Sequence, residues 1–217
     1  MVIDPMVTTR SARQIRADDT RARLFAAAVE LFEARGYHDT TVAAIVKRAG
    51  VAKGTFFVHF ATKDAVITEL QLRQIRGARK ARAAVIEAGA GPLAALRAMV
   101  QSLGEQAARS RELARAVYSA TLDNAHVSGD AESMFDELLV DMIGDARAAV
   151  AAGELGRGRD GERLARALLA CYLGSALHFA SSRRSTPLLD VLEPLIEANV
   201  EGFRQPAPTA RRPRRRG

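Results

Sequence analysis

Thr40 to Lys63 reads TTVAAIVKRAGVAKGTFFVHFATK, two short helical patterns that meet across one glycine. Val42, Ile45, Val46 and Ala49 fall at i, i+3, i+4 and i+7, which gives the first helix one apolar stripe to turn towards a core. Gly50 follows where a helix most often ends in a left-handed residue, and Val51 can tuck inward to begin a second helix at a steep angle. In that second helix Phe56 and Phe60 lie one turn apart and serve as anchors. Lys53, Gly54, Thr55, Phe57 and His59 are then left on the outside and at the front end. Such an end suits the major groove of DNA: Lys reaches guanine or phosphate, Thr hydrogen-bonds, and Gly lets backbone approach backbone. The same pattern also occurs in helical proteins that bind no nucleic acid.

Fixed-spacing matches go beyond that pattern. Thr41, Ile45, Ala49, Gly50, Val51, Gly54, Thr55, His59, Phe60 and Lys63 fit the motif of the tetracycline-repressor (TetR) family, which this stretch resembles. Ala27, Ala28, Leu31, Phe32, Gly36 and Tyr37 extend the resemblance over the preceding helix. Three positions depart: Val46 stands for the usual Ala, Ala52 for Ser, and Phe57 for a Tyr whose hydroxyl donates to a phosphate. The resemblance implies that Lys63 contacts the DNA backbone. It also implies a homodimer on a palindromic operator, with a C-terminal domain that binds a small-molecule effector. Thr40 and Thr41 precede the first helix of the motif, and either can cap it or touch a phosphate.

Composition agrees with an all-α chain. Of 217 residues 48% are hydrophobic, enough for a sizeable core, and no stretch alternates β-branched residues. A helix is expected from Thr20 to Arg35, closed by Gly36. A long helix follows from Lys63 towards Ala88, with Thr62 as N-cap. After the break AGAGP at 88–92, helical patterns run over Pro92–Ala108, Arg111–Asn124, Asp130–Ala152, Asp160–Ser182 and Pro187–Arg204, so about nine helices in all. The domains expected are a basic mobile arm at 1–19, a helix-turn-helix domain at 20–79, a helical bundle domain at 80–205 and a disordered Arg/Pro-rich tail at 206–217.

The net charge of +7 is unevenly placed. Residues 1–89 hold 15 Lys/Arg against 9 Asp/Glu, residues 90–205 hold 12 against 16, and the tail holds 5 against none. A basic module on a mildly acidic one is expected when only the first meets a polyanion. Arg73, Arg76, Arg79, Lys80 and Arg82 are too broadly spaced for one face and read as a solvated connector.

No catalytic constellation converges. His38, His59, His126 and His178 lie in separate elements, and the single Cys171 is two helical turns from His178. No enzyme activity, cofactor or metal is expected, and no disulfide. No apolar run approaches the ~20 residues that span a bilayer, so no membrane contact and a cytoplasmic location are expected. A helical enzyme or carrier, with its basic ends serving solubility alone, is the rival reading.

Met99, Tyr118, Leu122, His126, Met134, Phe135, Met142, Tyr172 and Phe179 supply soft and amphipathic side chains for an effector pocket, or for an ordinary core. Leu164, Leu168, Cys171 and Ser175 on one late helix, with Leu188, Leu192 and Leu195 on the next, form stripes that pair two subunits as a four-helix bundle or cover their own.

Overall fold

The computed structural model describes residues 11–124, 129–182 and 186–204, and only the backbone of 121–124 and 129–134. Among the described residues every element is a helix. The chain forms two compact units, divided between Ile67 and Thr68.

The first unit holds α1 (Ala12–Arg35), α2 (Val42–Ala49), α3 (Lys53–His59) and the start of α4 (Asp64–Glu87). α1 begins eight residues before the expected Thr20, so 12–19 are helix and not arm. The cause is a capping box: the Ser11 hydroxyl accepts from the Gln14 amide (3.2 Å) and the Gln14 side chain accepts from the Ser11 amide (2.9 Å). Residues 11–19 are exposed on every side, so this added length carries no apolar stripe for periodicity to reveal. Residues 1–10 of the expected arm and the whole tail lie outside the described residues. Leu24, Ala28, Phe32, Ile45, Phe56, Phe60, Val66 and Ile67 are buried together as the core of this unit.

The second unit continues α4 and adds α5 (Pro92–Ala108), α6 (Arg111–Asn124), α7 (Gly129–Ala151), α8 (Gly161–Ser181) and α9 (Leu188–Arg204). Residues 68–79 group here, not with the first unit as the sequence reading expects, because Ile75 and Ala78 belong to this core. α8 packs against α5, α6, α7 and α9. By length and composition α8 could cross a bilayer, contrary to the sequence reading, yet it occupies the place of a core helix. Its first residue is glycine for a steric reason: a Cβ on Gly161 would stand 2.8 Å from the backbone of Ala146 and Arg147, where α7 crosses.

Of the basic run on α4, Arg73, Arg76 and Lys80 are exposed as a solvated run would be, but Arg79 and Arg82 are tied to another helix. Arg73 and Arg76 share Glu69 (2.8 and 3.0 Å), and Arg79 reaches Asp141 (2.7 Å). Arg82 grips the buried Asp145 through two bonds of 2.6 Å each. The partners of Arg79 and Arg82 lie on α7, 62 and 63 residues along the chain, beyond any local pattern.

Candidate nucleic-acid interface

α2 ends as its sequence requires. Gly50 takes φ 68° and ψ 37°, and the amide of Val51 returns to the Val46 carbonyl at 3.0 Å, closing a Schellman turn. A β-carbon is disfavoured in this conformation, so a glycine sets the sharp entry into α3. α3 is then fastened from beneath. Phe56 and Phe60 are buried with ring centroids 5.8 Å apart, and the Arg21 guanidinium lies over the Phe60 ring at 4.5 Å while donating to the His59 carbonyl at 2.7 Å.

What α3 leaves outside is a mixed polar and apolar face. Lys53 and Gly54 are exposed, and no atom lies within 4 Å of where a Gly54 Cβ would stand. Thr55 and His59 are half-buried. Phe57 is 52% exposed and sits edge-on to Phe56, so it belongs to the surface and not to the core. Val58, which the sequence reading passed over, is 80% exposed, the most exposed large hydrophobic among the described residues. Counting outward from Phe56 and Phe60 would have placed it there. Ala52 stands at the N-cap with no side-chain hydrogen bond, so the front of α3 lacks the cap that a Ser would supply.

Three expected contact residues have other work. Thr41 is the N-cap of α2, accepting from Ala44 at 3.2 Å, and remains exposed. Thr40 is buried, its hydroxyl held by the carbonyls of Gly36 (2.7 Å) and Leu31 (3.2 Å), and is removed from the contact set. Lys63 is engaged within its own chain. Its ammonium donates to the carbonyls of Tyr37 (2.7 Å) and Thr40 (3.1 Å) and lies 4.0 Å from the centre of the Tyr37 ring. Desolvation holds its pKa below the usual lysine value, against the pull of Asp39. It braces the α1–α2 loop from the start of α4.

The second unit contains a cavity of about 60 Å³ between α4, α5, α6, α7 and α8. Of the expected pocket residues it gathers Tyr118, Phe135 and Tyr172, and it adds Gln71 and Gln74 from α4, which no apolar pattern marks. Met99 and Met142 are fully buried core, and Phe179 packs under the Arg111 guanidinium at 4.3 Å; none of these three lines the cavity. His126 and the side chains of Leu122 and Met134 lie outside the described residues.

The expected dimer stripe is largely internal. Leu164, Leu168, Leu188, Leu192 and Ser175 are buried in their own chain, because α8 has helices on several sides and its large side chains fill that core. Cys171 is half-buried and Leu195 is 38% exposed. The outward faces carry Ala167, Ala170, Cys171, Gly174 and Leu177 on α8, and Val191, Leu195 and Ala198 on α9. No group of three or more His, Cys, Asp or Glu is placed to hold a metal among the described residues.

Two helices meeting at a left-handed glycine, the second anchored by buried rings and open outside, define a helix-turn-helix module. Residues 24–70 match the family model described as bacterial regulatory proteins, tetR family. An uncharacterised helix-turn-helix regulator, YdgC of Bacillus subtilis, is 42% identical over 52 residues, 24% of this chain and 27% of its own. The regulator TcmR of Streptomyces glaucescens is 40% identical over 87 residues, 39% and 37% of the two chains. These matches span well under half of the curated relatives' length. The crystal structure of Thermus thermophilus FadR, a TetR-family repressor in complex with lauroyl-CoA, is 29% identical with a TM-score of 0.67, covering 88% of this chain and 98% of FadR. Residues 24–70 thus carry a tetR-type helix-turn-helix domain, and the chain as a whole has the fold of a TetR-family repressor.

Proposed function

We propose that this protein is a transcriptional regulator acting as a homodimer in the cytoplasm, a repressor that leaves a palindromic operator when a small molecule occupies its second unit. A regulator, rather than an enzyme, is the reading that the names of the matched relatives support. The observation that carries the reading is the outer face of α3, where Lys53, Gly54, Phe57 and Val58 stand open and Thr55 is half-buried, on a helix whose inner face is fixed by Phe56 and Phe60. Lys53 and Thr55 meet base edges, and Phe57 and Val58 lie against sugars or thymine methyl groups. Thr41 and His59 flank that surface.

Release follows from a population shift. The effector binds better to a conformation whose two α3 helices are wrongly spaced for successive major grooves. The outward faces of α8 and α9 pair two copies, small residues allowing the helices close approach. Leu177→Glu with Leu195→Glu, both exposed, then yields folded monomer by ultracentrifugation. A dimer of unchanged strength places the interface elsewhere.

The experiment on DNA is a pair of substitutions read on operator and random duplexes. Lys53→Ala and Thr55→Ala each weaken operator binding by roughly 1–3 kcal/mol and relax base preference. Equal losses on both duplexes would remove them from base reading.

A further inference from the structure

We propose that the exposed first turns of α1 hold DNA phosphates just outside the stretch that α3 reads, through Arg13 and Arg16. This goes beyond the DNA reading above and rests on it: the tetR-type match begins only at residue 24, so these arginines lie outside the helix-turn-helix module. The extension is formed without being packed. Residues 11–19 are exposed yet 12–19 are helical, held at the free end by the Ser11–Gln14 capping box and at the other by Thr20, whose hydroxyl donates to the Arg16 carbonyl at 2.9 Å. No burial within the module rewards these turns, and their side chains are open to a partner.

Arg21 fixes where the extension lies. Its guanidinium donates at 2.7 Å to the carbonyl of His59, the last residue of α3. α1 therefore passes the C-terminal end of α3 and runs on beyond it. At a rise of about 1.5 Å per residue, Arg16 and Arg13 stand roughly 8 and 12 Å past Arg21 along the axis. Phosphates of one strand follow each other at about 3.4 Å along the duplex, so the overhang spans roughly two to four nucleotides. With about 3.6 residues per turn, Arg13 falls in line with Thr20 and the buried Leu24, the side on which α1 rests on its module. Arg16 is one step round from Arg13, whereas Ile15 and Asp19 point away.

Charge selects the partner. Among the described residues neither Arg13 nor Arg16 has an ion pair. The acids of the extension sit nearer its anchored end: Asp19 pairs with Arg23 at 3.3 Å, and Asp18 is also engaged. Residues 10–17, RSARQIRA, carry three arginines and no acid. Two like charges one turn apart repel each other mildly in the free protein, and a polyanion turns that cost into attraction. The front amides of Ser11 and Gln14 are already taken by the capping box, so the guanidinium forks and not the helix end do the binding. Such contacts add affinity and fix register without reading bases.

The test compares the full chain with Arg13→Ala/Arg16→Ala and with Arg109→Ala/Arg157→Ala, which removes the same charge from exposed positions of the second unit. Each is titrated, at about 50–200 mM salt, with the intergenic DNA beside the protein's own coding sequence and with a random duplex of equal length. Arg13→Ala/Arg16→Ala lowers the slope of log affinity against log salt by about two units, so that its disadvantage shrinks by about tenfold across that range. The loss is equal on both duplexes, and the melting temperature is unchanged. Arg13→Lys/Arg16→Lys restores the slope, and Arg109→Ala/Arg157→Ala never lowers it. Phosphate-ethylation interference then finds phosphates outside each protected half-site that matter to the full chain and not to Arg13→Ala/Arg16→Ala. An unchanged slope, an equal fall in the second-unit pair, or a loss confined to the intergenic DNA overturns the inference. If the full chain binds neither duplex at 50 mM salt, the DNA reading itself falls; if it protects half-sites and Arg13→Ala/Arg16→Ala changes nothing, this inference alone is lost.

Discussion

Lys63→Met separates two roles for one ammonium group. The substitution keeps the aliphatic stem and removes the charge, so it deletes the donors to the Tyr37 and Thr40 carbonyls and the contact with the Tyr37 ring. Hydrogen bonds from a charged donor contribute roughly 1.5–3 kcal/mol each, and a cation over a ring adds roughly 0.5–1 at exposed sites. The ammonium is half-buried and already gives up hydration, as its lowered pKa records. These costs bring the net loss to about 2 kcal/mol. For a chain of this length that corresponds to a fall of about 4–8 °C in melting temperature. Thermal unfolding followed by circular dichroism measures it, beside a salt titration of DNA binding. If Lys63 is a brace, stability falls while the slope of log affinity against log salt stays as it was. An unchanged melting temperature with a slope lower by about one unit would mean that the ammonium turns to a phosphate, and the bracing role would be wrong.

Ala52→Ser supplies the missing cap of α3 and raises stability by about 1 kcal/mol in the same unfolding assay; no gain would mean that the front of this helix is already satisfied. Arg82→Ala strands the buried Asp145 carboxylate and costs about 3–5 kcal/mol, whereas Asp145→Ala frees a guanidinium that can reach water and costs less; equal losses in denaturant melts would contradict that asymmetry. Tyr118 has its pKa raised from 10.0 to about 12 by burial and Tyr172 is raised further, so the unfolded chain ionises first as pH climbs. The stability these phenols contribute is fully present below pH 10.0 and lost as pH rises through the window towards 12, and Tyr172→Phe should flatten that loss in unfolding measured from pH 9 upward.

Helices and the reader were legible wherever one face is apolar and the ends are punctuated. Pro92–Ala108 and Arg111–Asn124 have the limits that periodicity and turn residues mark, and Gly50 takes the left-handed conformation that its place in the motif demands. The extension of α1 was hidden because a helix exposed all round has no stripe, and only Ser11 with Gln14 announces it. The roles of Lys63, Arg79 and Arg82 were hidden for another reason. Each is fixed by partners 23 to 63 residues away, and a sequence shows that a lysine or arginine is present but not what it will reach. In α8 the difficulty was excess: apolar and small residues surround the helix, so two stripes were possible and the larger side chains took the inside. The cavity was half visible, in its aromatics, while its glutamines look like ordinary surface residues until α4 is laid along the bundle.

The central claim is that α3 reads a two-fold DNA site, and footprinting of the purified protein on the intergenic DNA beside its own coding sequence tests it most directly. Two protected half-sites are expected on one face of the duplex, their centres one helical turn of about 34–36 Å, or a multiple of it, apart, and lost as salt is raised. Lys53→Ala should erase that protection while the protein remains folded. Uniform coating of the DNA without boundaries, or no protection at low salt, would contradict the account.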